Sequence, residues 1–129
     1  MSLPEAPVSG RRPMATGNEI VIEKRGNLTV LNVKGDVTSA SENLFNESYS
    51  GLDPANENTL LIKFEENAYI NSGGIAVLIQ ILAESQRKSQ KVGLTGLSDH
   101  FQKIFKMVGI TRFAEIYPSV EEAAQNLST

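Results

Sequence analysis

Between residues 59 and 64 the chain reads Thr-Leu-Leu-Ile-Lys-Phe, a short and nearly continuous apolar run. A strand with one wet face alternates apolar and polar residues, so a run without that alternation belongs to a strand covered on both faces. Such a strand needs a sheet with packed layers on either side, which makes Thr59 to Phe64 the expected centre of an α/β fold.

The flanking segments predict the rest of the sheet and its cover. Ile20, Val21 and Ile22, then Gly26-Asn27, then Leu28, Val30, Leu31 and Val33 predict two strands joined by a tight hairpin, because Gly and Asn tolerate the positive φ of two-residue turns. Gly35-Asp36 closes the second strand. Thr38, Ser39 and Ser41 then offer caps to a helix carrying Leu44, Phe45 and Tyr49, which ends near Ser50-Gly51 ahead of Pro54. From Ser72 to about Ser89 the apolar period becomes helical, with Ile75, Leu78, Ile79 and Leu82 at spacings of three and four on one face. That face is expected to pack on the sheet, leaving Val77 and Gln80 outward and Ile81 at the margin.

Lys91 to Thr95 reads as another strand, followed by a Ser98-capped helix with Phe101, Ile104, Phe105 and Val108 on one face and Gly109 at its end. Phe113 to Tyr117 predicts a last short strand. Pro118-Ser119 introduces a terminal helix carrying Val120, Ala123, Ala124 and Leu127, with Glu122 in capping-box position behind Ser119. The order ββαβαβαβα implies a mixed sheet of about five strands, mostly parallel through right-handed crossovers with an antiparallel N-terminal hairpin, covered by about four helices.

One domain over residues 18–129 accounts for this pattern. Residues 1–17, which include Pro4, Pro7 and Pro13 and lack an apolar core like that of a secretory signal, are expected to be a disordered N-terminal extension or a cloning remnant, with Met14 as an alternative start. The longest apolar stretch, Ile75 to Ala83, is broken by Gln80 and falls far short of the roughly 20 residues of a membrane span. No membrane insertion is expected, and the cytoplasm is the expected compartment. Twelve Lys and Arg against fifteen Asp and Glu give a net charge of -3, which supplies no positive field for a nucleic-acid backbone. With no Cys and one His, disulfides and Cys-based zinc sites are excluded, and neither a metal site nor a cofactor is expected.

The segment Ala68-Tyr69-Ile70-Asn71-Ser72-Gly73-Gly74-Ile75 lies between the central strand and the helix after it. Two glycines in a first helical turn cost about 1 kcal/mol each relative to Ala, so packing or function must retain them. Their missing side chains leave the amides of Gly73, Gly74 and Ile75 uncovered at the positive end of the helix dipole, a place suited to phosphate. Ser72 stands beside them, so a phosphate on its hydroxyl would meet those amides. The other reading is structural: Ser72 caps the helix, and the glycines let it pack close to a strand. A catalytic serine does not fit. The nucleophile elbow needs Gly two positions before the Ser, where this chain has Ile70, and His100, the single His, falls on a separate helix. A phosphate-binding Gly-x-x-x-x-Gly-Lys-Ser/Thr run is also missing. Arg87, Lys88 and Lys91 sit at a helix end, where cations complement the dipole without a ligand.

Tyr69-Ile70-Asn71-Ser72-Gly73-Gly74-Ile75-Ala76-Val77-Leu78 resembles the signature of STAS domains (sulphate transporter and anti-sigma-factor antagonist), commonly Tyr-Ile-Asp-Ser-Ser-Gly-Ile-Gly-Val-Leu. Gly35-Asp36-Val37 and the stretch from Ser98 to Ile110 are similar to further features of the family, so the resemblance runs from about Glu19 to Leu127. It departs at Asn71, which replaces Asp, at Gly73, which replaces the second Ser, and at Ala76, which replaces the second Gly.

The resemblance implies a non-catalytic signalling domain of the bacterial antagonist branch. There the serine that falls on Ser72 is phosphorylated by an anti-sigma kinase and restored by a PP2C-type phosphatase, and the unphosphorylated form binds the kinase. Partner contact is then expected at Asp36, Asn71, Ser72, Val77, Gln80 and Ile81. The alternative it offers is a constitutive scaffold or accessory subunit, in a stress-signalling complex or a lipid-transport machine, without phosphorylation. Oligomeric state is left open.

Overall fold

The computed structural model describes residues 18–127, so the extension expected at residues 1–17 and the last two residues of the expected domain lie outside the described residues. Strand β1 (Glu19–Arg25) turns back into β2 (Leu28–Lys34) through Gly26 and Asn27, and Arg25 pairs with Leu28 across that loop. Of the two turn residues, Gly26 takes the positive φ, 59°. A 3-10 turn (Ser39–Ser41) leads into α1 (Glu42–Ser50), followed by β3 (Thr59–Phe64), α2 (Ser72–Arg87), β4 (Lys91–Thr95) and α3 (Asp99–Met107). A second 3-10 turn (Ile110–Arg112), β5 (Glu115–Tyr117) and α4 (Val120–Leu127) complete the order. The strands lie in sequence order β1-β2-β3-β4-β5, antiparallel between β1 and β2 and parallel from β2 through β5.

This is the mixed sheet that the alternation of periods predicts, with β3 in the middle. Leu60, Ile62 and Phe64 of β3 join the larger apolar cluster with Leu44, Phe45 and Tyr49 of α1, Leu78 and Leu82 of α2, and Phe101 and Phe105 of α3. Leu61 points the other way, into a smaller cluster with Leu28, Val30, Ala123 and Leu127. Three helices thus cover one face of the sheet and α4 covers part of the other, which is why β3 shows no alternation: among its residues only Lys63 is exposed. The capping expectations for the later helices hold as well. Ser98 Oγ accepts from the Phe101 amide at 3.2 Å, Ser119 Oγ from the Glu122 amide at 3.1 Å, and Gly109 ends α3 with φ 86°.

Three expectations need correction. Val77 and Ile81, read as outward and marginal, are each 4% exposed and belong to the core. The buried stripe of α2 is Gly74, Val77, Leu78, Ile81, Leu82 and Ser85, rotated from the expected stripe, and Ile75 and Ile79 are half-buried. The cause is that α2 packs on α1 and on the first 3-10 turn as well as on the sheet, so its apolar surface is wider than a sheet alone requires. Val108, read as core, is 47% exposed because the helix ends at Met107 and the chain turns at Gly109. The last strand begins at Glu115 rather than Phe113, since the Ala114 amide bonds to the Ile110 carbonyl at 3.2 Å and extends the preceding turn.

Placing a carboxylate at Val77 therefore attacks the core. We predict that Val77→Glu lowers stability by about 3 kcal/mol or more, while Gln80→Glu, on the exposed side of the same helix, stays within about 0.5 kcal/mol of the parent. Urea denaturation of the two variants checks this, and an unchanged Val77→Glu midpoint contradicts the packing described.

Candidate functional site

β2 and β3 are parallel neighbours, so the loops that leave their C-terminal ends lie side by side, and backbone hydrogen bonds join them. The Val37 amide donates to the Tyr69 carbonyl at 2.9 Å, and the Asn71 amide returns a bond to the Val37 carbonyl at 3.1 Å, making a parallel bridge between Val37 and Ile70. Two carboxylates reinforce the seam. Asp36 Oδ1 accepts from the Tyr69 amide at 2.9 Å, and Glu65 Oε1 accepts from the Gly35 amide at 2.8 Å. On the far side of the first loop, Thr38 Oγ1 and Ser41 Oγ form a capping box around the 3-10 turn, and Ser41 Oγ is hydrogen-bonded to Asn18 Oδ1 in the interior.

This seam sets how α2 begins. Ideal Cβ positions show what its glycines are for: a Cβ on Gly74 would lie 2.2 Å from the Val37 carbonyl oxygen, and one on Gly73 would lie 2.8 Å from Ser39 Cβ. Both positions are packed against the neighbouring loop. Close approach is the role of the two glycines, as their structural reading expects, but the neighbour is the loop after β2 rather than a strand, and the approach turns residue 74 inward. Positions 77, 78, 81, 82 and 85 then follow it inward at helical spacing.

The cap is Asn71. Its Oδ1 accepts from the Gly74 amide at 2.8 Å, with the extended backbone of an N-cap residue (φ -92°, ψ -179°). The Ile75 amide bonds to the Asn71 carbonyl at 2.9 Å. Of the three amides expected to receive a phosphate, those of Gly74 and Ile75 are therefore engaged, and the Gly73 amide is the one without a protein acceptor among the described residues. Ser72 is the first helical residue, exposed, and its hydroxyl makes no hydrogen bond to a described residue. The expectation that Ser72 caps the helix is corrected on this point: the side chain one residue earlier does that work.

The structure brings Asp36, Asn71, Ser72, Gly73, Gly74 and Ile75 together at one edge of the molecule. Gln80 is exposed on α2, two turns further along, and Val77 and Ile81 face the core away from this edge. Tyr69, which the sequence reading gave no role, is 57% exposed and stacks edge-on against Phe101 with ring centroids 5.9 Å apart. His100 contacts the same Phe101 ring at 5.0 Å, so an aromatic ledge adjoins the Ser72 edge. No periodic pattern marks a lone aromatic in a loop, and only its place three residues before Ser72 hinted at it. Among the described residues, no group of three His, Cys, Asp or Glu side chains is placed to hold a metal ion, and no helix is long and apolar enough to cross a membrane.

A five-stranded mixed sheet with a serine exposed at the start of the helix after its central strand defines a small α/β domain whose distinctive edge is a pair of joined loops. The family model for the STAS domain matches residues 19–123, and the chain belongs to the STAS domain family. A search of curated protein sequences finds no significant match. Among solved structures, a putative anti-sigma factor antagonist from Thermotoga maritima superposes with a TM-score of 0.72 at 14% identity, covering 85% of this chain and 95% of that one. An anti-sigma factor antagonist from Mycobacterium paratuberculosis gives 0.72 at 13% identity, covering 90% and 98%. The Bacillus cell fate determinant SpoIIAA in its phosphorylated form gives 0.60 at 14%, covering 83% and 97%. At these identities the likeness is one of fold.

The assignment of the cap is testable by stability alone. Asn71→Ala should cost about 1 kcal/mol, whereas Ser72→Ala should change stability by less than about 0.5 kcal/mol. Gly74→Ala should destabilise by about 1–3 kcal/mol through overpacking, although helix propensity by itself favours Ala by about 1 kcal/mol. Thermal melting of the three variants decides. A larger loss from Ser72→Ala than from Asn71→Ala would assign the cap to Ser72.

Proposed function

We propose that this domain is a non-catalytic partner-binding switch of the anti-sigma-factor-antagonist type, controlled by phosphorylation of Ser72. The observation that carries the reading is that the Ser72 hydroxyl is exposed and released from structural duty, because Asn71 supplies the cap. A modification there need not break the fold. The branch is supported by three neighbours of similar fold described as antagonists or, for SpoIIAA, a cell fate determinant. In this reading the partner is an anti-sigma kinase, a PP2C-type phosphatase restores the serine, and both act in the cytoplasm.

A phosphate brings about -1.5 to -2 charges at neutral pH. At the first turn of a 16-residue helix it meets the positive dipole end and the Gly73 amide, so the isolated domain tolerates it. A partner seated over the same edge does not, since a new charge buried without a matching cation costs several kcal/mol, about a hundredfold or more in affinity. The partner contact is proposed at Asp36, Asn71, Ser72 and the exposed side of α2 at Gln80, with Tyr69 added and the core residues Val77 and Ile81 removed. The constitutive subunit remains the second reading, favoured by one observation: two of the three amides that would welcome a phosphate are already engaged.

Calorimetric titration of an anti-sigma kinase from the same organism with the wild type, Ser72→Ala and Ser72→Asp separates the two. The switch predicts tight binding by the wild type and Ser72→Ala and a loss of about a hundredfold for Ser72→Asp, with melting temperatures alike. Equal affinity for all three selects the constitutive subunit.

A further inference from the structure

The start of β4, the end of α3, the second 3-10 turn, β5 and the end of α4 surround an open cavity of about 700 Å³, within the ~300–1,000 Å³ typical of small-molecule sites. It lies where the parallel strands begin, at the opposite end of α2 from Ser72, and a helix of 16 residues is about 24 Å long. Phe113 and Ile116, both half-buried, supply its accessible apolar surface, while Val92 and Leu127 behind it belong to the core, and Lys91, Lys106 and Arg112 stand among its polar residues.

The charge around it is the reverse of the protein's own. Between positions 100 and 112 the chain carries Lys103, Lys106 and Arg112 and no Asp or Glu, in a protein of net charge -3. Glu115 is the sole carboxylate lining the cavity, within 3.4 Å of the Tyr117 hydroxyl. Neither Lys106 nor Arg112 forms an ion pair with a described residue, and both are exposed, so their charges are not spent inside the fold. A guanidinium and an ammonium beside the half-buried Phe113 and Ile116 match a ligand that is anionic at one end and apolar at the other, because the guanidinium can grip two oxygens at once and those two side chains can take apolar surface out of water.

We propose that this cavity binds a small organic anion, its apolar body on Phe113 and Ile116 and its carboxylate, sulfonate or phosphate against Lys106 and Arg112. The site is independent of the switch at Ser72 and stands or falls apart from it.

The probe is 1-naphthyl phosphate, titrated by calorimetry into the full chain, with inorganic phosphate as the comparison and melting curves for every variant. The wild type should bind the probe, and Lys106→Gln/Arg112→Gln should weaken it at least about tenfold with the melting temperature unchanged, since each lost charge-assisted bond is a strong one. Lys103→Gln, on the same helix but outside the cavity lining, and Ser72→Ala should leave affinity unchanged. Inorganic phosphate should bind at least about tenfold more weakly than the probe, having no apolar body to bury. The proposal is overturned by failure of the wild type to bind, by an equal loss in Lys103→Gln, by undiminished binding in the double variant, or by inorganic phosphate binding as tightly as the probe.

Discussion

The contact on which the rest depends is the approach of α2 to the Val37 carbonyl, so close that a Cβ on Gly74 would lie 2.2 Å from its oxygen. That carbonyl also accepts from the Asn71 amide, so a single backbone group both receives the strand-end hydrogen bond and backs the first turn of the helix. The rotation of α2 follows from it. With residue 74 inward, Val77, Leu78, Ile81 and Leu82 enter the core and residue 72 is carried to the surface. An exposed Ser72 is thus a consequence of packing at Gly74, and the helix tolerates two glycines in its first turn because the neighbouring loop occupies the space of their side chains.

The same geometry divides the labour between adjacent residues. Asn71 holds the helix start through its side chain and carbonyl, which leaves the Ser72 hydroxyl outside the hydrogen-bonded frame. Because Asn71 supplies the cap, the hydrogen bonds that hold the helix start do not involve the Ser72 side chain. In the proposed switch, the separation of a fixed frame from a modifiable side chain would let affinity for a partner change while the fold stays as it is. Asn at the cap is also uncharged, so a phosphate at Ser72 meets no carboxylate from its preceding neighbour, as it would where Asp stands in that place.

Much of the fold was legible because its signals are local periods. The unbroken apolar run of β3 announced a strand covered twice, and Ser98, Ser119 and Gly109 marked helix ends through the hydrogen bonds and dihedrals their residue types favour. The facing of α2 was not legible. Apolar residues occupy so much of the helix, at 75, 77, 78, 79, 81 and 82, that several rotations satisfy the period equally, and the choice among them is made by α1 and the Val37 loop, which are distant in sequence. The site was legible as a location and not as a mechanism of capping. Asn and Ser are both favoured caps, and only the tertiary seam decides which of them stands at the boundary. Likewise the cavity beside Lys106 and Arg112 joins residues 106–117 to the start of β4 and the end of α4, a meeting that no short motif records.

Residue-resolved hydrogen exchange tests the central claim most directly, because it reads the seam amide by amide. If the Val37 loop and the α2 start form one packed unit, the amides of Val37, Asn71, Gly74 and Ile75 exchange only through large-scale opening, with protection close to that of β3. The Gly73 amide, one residue from the protected Gly74, exchanges far faster. Rapid exchange at Val37 and Asn71, or protection at Gly73 equal to that at Gly74, would contradict the account.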